Sequence, residues 1–128
     1  KCDLALDPDL ARIMAHSRDY DEQLHVWLAW RDAIGPQIRD KYIQYVQMAN
    51  HAARLNGFHD AGQQQREAYE DSDINSQLTE LWATLAPLYR ELHAYVRRHL
   101  VQRYGPERVR PDGPMPAHLL GNMWSRAN

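Results

Sequence analysis

A chain of 128 residues, 44% hydrophobic and 25% charged, has enough apolar side chains for a packed core and too little length for two ordinary domains. That composition excludes a disordered polypeptide, and a formal net charge of −2 excludes a chain whose overall field would gather nucleic acid or anionic lipid. No apolar run approaches the roughly 20 residues that a membrane helix needs. The opening Lys1-Cys2-Asp3-Leu4 lacks the apolar stretch of a signal peptide, so a secreted parent would carry its signal upstream.

Val, Ile and Thr are scarce and no segment alternates over six residues, so helices are expected throughout. Asp7-Pro8 reads as a cap followed by a first-turn proline, with Leu10, Ile13 and Met14 on one face of a short helix to about His16. Ser17 or Asp19 can cap a second helix, apolar along Leu24, Trp27, Leu28 and Ile34, and Gly35-Pro36 is expected to stop it. A third helix runs from about Pro36 to Leu55, lined by Ile38, Tyr42, Tyr45, Val46, Ala49 and Ala53, and ended by Gly57. Asp60-Ala61-Gly62 forms a turn before a short polar helix through Arg66 to Tyr69. Ser72 or Asp73 opens the longest helix, to about Tyr104, with Leu78, Leu81, Trp82, Leu85, Tyr89, Leu92, Val96 and Leu100 in helical period and a kink expected at Pro87. After Gly105-Pro106, the segment from Arg110 to Pro116 holds three prolines and one glycine and must be irregular. Ala117 to Trp124 is expected to begin a further helix. Left on so short a helix, Leu119, Leu120 and Trp124 would lack packing, which suggests that the chain continues in its parent.

The chemistry-bearing residues do not assemble into a catalytic motif. A hydrolytic zinc needs three protein ligands and an open position, and the helical version spaces two histidines i, i+4 around a glutamate base. The seven histidines, His16, His25, His51, His59, His93, His99 and His118, include no such pair. Glu22 and His25 resemble half of a carboxylate metal site whose other half is missing, and each lone histidine reads as a surface or cap residue. No nucleophile elbow, phosphate-binding glycine loop or dinucleotide fingerprint is present. Cys2 is the one cysteine: either a free thiol or half of a bridge whose partner lies outside this sequence. Arg90, Arg97, Arg98, Arg103, Arg108 and Arg110 make the later part locally basic; they suit a solvated face near a helix C-terminus better than a nucleic-acid stripe. Trp27, Trp30 and Arg31 share a helical face. They read as an aromatic pair under a guanidinium or as an anion site with Arg31 held inward.

Gly113-Pro114-Met115-Pro116-Ala117-His118-Leu119-Leu120-Gly121-Asn122-Met123-Trp124 is similar to the G-P-I-P-A-H-L-L-G-N-M-W stretch of the angiotensin-converting enzyme family of zinc peptidyl-dipeptidases. Leu92-His93-Ala94-Tyr95-Val96-Arg97-Arg98 with Arg103-Tyr104-Gly105 resembles its L-H-A-Y-V-R-R…Y-G helix. Ser17-Arg18-Asp19-Tyr20, Ala52-Ala53-Arg54-Leu55-Asn56-Gly57, Asp60-Ala61-Gly62 and Pro87-Leu88-Tyr89 fit as well, and the opening Lys1 to Pro8 is most like insect members. Gln65 stands where the family usually has tryptophan, and Ser125-Arg126-Ala127-Asn128 replaces its A-Q-x-W continuation.

The resemblance implies an all-α, irregular helical array in which residues 1–128 form a single helical segment of a larger peptidase domain. It implies an extracellular or secreted parent that uses zinc and chloride and releases C-terminal dipeptides from oligopeptide substrates. The family's zinc helix lies downstream of this segment, so no catalytic or metal residue is expected here and the chain alone is expected to be inactive. By resemblance, Arg31 is a chloride ligand, Asp7 borders the substrate pocket, and Cys2 is half of a disulfide whose partner is outside this chain. The alternative is a non-catalytic, truncated paralogue acting as a helical binding module. Nucleic acid is not an expected partner; the rest of the peptidase domain is.

Overall fold

The computed structural model describes residues 3–124, and these are all-α: helices α1 (Ala11–His16), α2 (Tyr20–Leu55), α3 (Ala61–Arg66) and α4 (Ile74–Tyr104) are joined by loops and tight helical turns, with no strand among the described residues. Contacts divide the chain into two compact units, one of Lys1–Ile34 with Glu91–Asn128 and one of Gly35–Arg90.

In the first unit, a wide turn over Leu6–Leu10 is closed by the Leu10 amide on the Ala5 carbonyl at 3.0 Å. Asp7 is extended there, and the carboxylate that reaches the backbone belongs to Asp9, which accepts from the Ala5 amide at 3.2 Å. The start of α2 follows the expected chemistry. Asp19 accepts from the amides of Asp21 (2.9 Å) and Glu22 (3.0 Å), satisfying two of the donors that a helix start leaves open. Leu10, Met14, Val26 and Met123 form the core of this unit, with Leu4, Leu6, Ile13, Trp27 and Trp30 packed against it. Gln23 is buried beside them, donating to the Met14 carbonyl at 3.3 Å. Two sequence expectations give way here. Gly35-Pro36 does not stop the helix, because α2 runs through both residues. The clash a proline imposes falls partly on the Cβ of the preceding residue, and Gly35 has none, which leaves the lost backbone hydrogen bond and the crowding of the Asp32 carbonyl as the cost. Ala117 to Trp124 does not open a further helix either: only the single turn Ala117–Leu119 forms, and the rest of the stretch runs through bends and a turn, with Gly121 at φ +89° and Met123 in the core.

The second unit contains the latter part of α2, α3, the tight turn Glu67–Tyr69 and the first part of α4. The end of α2 has a complete glycine cap. Gly57 takes φ +84°, its amide reaches the Arg54 carbonyl at 3.1 Å, and the Phe58 amide reaches Ala53 at 3.1 Å. Asp60 caps α3 by accepting from the Gln63 amide at 2.8 Å, and Asn50 accepts from the Ala61 amide at 3.0 Å, tying the α2–α3 turn down. Ala53 is buried, yet the other apolar positions of this stretch are exposed: Ile38, Tyr42, Tyr45 and Val46 on α2, and Leu78, Leu81, Trp82, Leu85, Leu88 and Tyr89 on α4. Helical period alone gives the apolar stripe; it does not say that the stripe is covered within this chain. The α4 helix continues across Pro87.

Candidate functional site

Arg31 lies in the first unit, one turn after Trp27 on α2. Its guanidinium carbon sits 3.2 Å from the centroid of the Trp27 ring and 5.9 Å from that of Trp30, so it lies close over the first indole. One arm donates to the Trp27 carbonyl at 3.2 Å and another donates to the Met123 carbonyl. Arg31 is half-buried, and desolvation holds its pKa below the ordinary arginine value, although an arginine stays charged at neutral pH. Among the described residues no carboxylate forms an ion pair with it. Arg31 is therefore a cation held by neutral carbonyls and ring faces, with donors left over from its five.

The loop that meets Arg31 is held from several sides. Arg97 of α4 donates to the Gly113 carbonyl at 3.0 Å. Val109 and Met123 are fully buried. The Trp124 amide donates to the Asn122 side chain at 2.9 Å, and the Trp124 ring stands edge-on to Trp30 with centroids 6.5 Å apart. Arg108 pairs with Asp21 at 3.1 Å and lies 4.8 Å over the Tyr20 ring. Of the basic residues singled out in the sequence, Arg97 and Arg108 are thus structural ties.

Asp7 is exposed in the extended residue before Pro8, and no hydrogen bond or ion pair joins it to Arg31. Cys2 lies outside the described residues. Glu22 accepts from the Ser17 hydroxyl, while His25 is exposed; the pair is a solvated helix face. No group of three or more His, Cys, Asp or Glu side chains is arranged to hold a metal ion among the described residues, and no helix there is long and apolar enough to cross a membrane.

His118 corrects the expectation that every histidine is a surface or cap residue. It is 5% exposed, its Nε2 has no hydrogen-bond partner among the described residues, and its ring stands edge-on to Tyr20 at 4.6 Å. Burial pushes its pKa down, favouring the neutral ring. A lone histidine carries no periodic signal that would mark it as buried. In the second unit, a cleft of about 760 Å³ is lined by His59, Asp60, Arg66, Glu67, Glu70 and Asp71 among others. The Asp60 carboxyl there is held below its usual pKa by the Gln63 amide and then by His59.

The family model for angiotensin-converting enzyme matches residues 1–127. Among curated relatives, the angiotensin-converting enzyme of Rattus norvegicus is 51% identical over 123 residues, covering 96% of this chain and 9% of that protein. The angiotensin-converting enzyme-like protein Ace3 of Mus musculus is 50% identical over 97% of this chain and 17% of its own length. The angiotensin-converting enzyme of the leech Theromyzon tessulatum is 43% identical over 95% of this chain and 20% of its own. The chain therefore spans a fifth or less of these relatives, and the family-model range takes in the residues that build the Arg31 site. With a whole-length match to the family model and about half of its residues shared with several members, this chain belongs to the angiotensin-converting enzyme family.

Proposed function

We propose that this chain is a scaffold segment of an extracellular zinc peptidyl-dipeptidase, a peptidase that releases C-terminal dipeptides from oligopeptides. The observation that carries the reading is the family-model match over residues 1–127, beside relatives of whose length this chain covers 9% to 20%. Zinc would supply activated water in the complete enzyme, and its ligands would come from the rest of the domain, since the described residues offer no donor set for it. What these residues would contribute is an anion site and a wall. Arg31 suits chloride: a half-buried guanidinium with spare donors and no carboxylate partner is a fixed positive charge in a partly dry place, where an anion is attracted more strongly than in water. Asp7, exposed at the chain's first turn, would border the substrate pocket, and Cys2 would pair with a cysteine outside this sequence.

The test replaces the matched segment of the leech relative with this chain. Zinc-dependent, chelator-sensitive release of C-terminal dipeptides by the chimera is expected, with none from the 128-residue chain supplied with zinc. In the chimera, Arg31→His should weaken the dependence of activity on chloride and leave zinc content unchanged. An inactive chimera that is folded and zinc-loaded would sink the enzymatic reading, and turnover by the isolated chain would sink the assignment of the zinc ligands to the rest of the domain.

A further inference from the structure

The exposed leucines of α4 are not scattered. Leu78, Leu81, Leu85 and Leu88 are separated by three, four and three residues, and Leu92 and Tyr95 continue the same alternation. That spacing repeats every seven residues and puts the four leucines on one narrow seam, the pattern by which one helix receives another at a shallow crossing angle of roughly 20°. Leu81 is 54% exposed and Leu88 69%, so the second unit does not cover the seam. Trp82 and Tyr89 each follow a seam leucine and stand edge-on to one another at 5.4 Å, forming an aromatic wall along one side. Ala83 and Arg90 fall on the opposite side of the helix. Pro87 lies off the seam, and the bond it cannot make falls to the Ala83 carbonyl on that far side, which leaves the leucine row regular.

From this we infer that the Leu78–Leu88 seam of α4 receives a helix from the part of the peptidase domain outside these 128 residues. The inference rests on the proposed function, because the chain must belong to a larger domain for that occupant to exist. The seam and its aromatic wall carry no charged side chain, and so continuous an apolar row on a soluble protein marks a contact surface. The relatives extend over at least five times the length matched here, as a coverage of 20% or less implies, so they hold ample chain to supply the helix. The seam from Leu78 to Leu88 is roughly 15 Å long, about three turns, which matches a single helix laid alongside.

Thiol footprinting tests this in the same leech chimera. Leu85→Cys places a thiol in the seam and Ala83→Cys places one on the far side; each is labelled with a maleimide, the site identified by peptide mass, and the rate divided by that of the denatured protein. The expected result is many-fold slower labelling of Leu85→Cys than of Ala83→Cys, both variants keeping the chimera's resistance to proteolysis. Equal rates in the folded chimera would overturn the inference. So would a stable dimer of the isolated 128-residue chain that is abolished by Leu81→Glu and Leu88→Glu, because the seam would then pair with a second copy. Labelling and turnover are read separately. Slow labelling in a folded but inactive chimera supports the seam and counts only against the peptidase reading.

Discussion

Replacing Arg31 by leucine tests how the loop that follows α4 is held on α2. The variant loses the charged hydrogen bond to the Met123 carbonyl and the stacking on Trp27. A bond to a charged donor contributes about 1.5 kcal/mol at the lower end of its range, suited to a half-buried group, and stacking on an indole about 0.5 kcal/mol at a partly exposed site. The bond to the Trp27 carbonyl is local to the helix and is left out. The sum, about 2 kcal/mol, corresponds to a roughly 30-fold shift in a local opening equilibrium. Amide hydrogen exchange reads it directly. The Trp124 amide, held by Asn122, should exchange about 30-fold faster, while the Phe58 amide of the other unit, bonded to Ala53, should not change. Arg31→Lys, which keeps the charge but not the planar fork, should fall between. An unaltered Trp124 rate in Arg31→Leu would show that the guanidinium does not hold the loop, and would remove the structural basis for treating Arg31 and Met123 as one site.

Two further outcomes are expected. His118 is held neutral by burial, so its folded pKa lies below the unfolded value of about 6.5. The unfolded chain then takes up a proton that the folded one refuses, and stability present above about pH 6.5 falls as pH drops through that value toward the folded pKa. Denaturant midpoints measured across this range should fall toward acid, and His118→Leu should flatten that slope; an unchanged slope would assign it to other groups. Met14→Ala removes a fully buried side chain from the core of the first unit and should cost about 2–5 kcal/mol, read as a shift in the urea midpoint of that unit. Met48→Ala, at a site 72% exposed, should change the midpoint by less than about 0.5 kcal/mol.

The helices were legible because their signals are local. Asp19 at the start of α2 and Gly57 and Gly105 at helix ends act on backbone groups close by in the chain. The Arg31–Trp27 contact was legible for the same reason, since one helical turn joins them. The carry-through at Gly35-Pro36 depends on a whole helix tolerating one lost bond, which dipeptide chemistry does not disclose.

What the sequence determined by itself was an all-α chain with its apolar stripes, its capped helix ends and its family membership. Tertiary structure alone decided which stripes are covered. It brought Met123 beneath Arg31 across 92 residues, buried His118 against Tyr20, and left the leucines of α4 bare. Periodicity gives a residue's direction around its own helix axis; burial depends on what arrives from elsewhere, and that is fixed by contacts far apart in the chain.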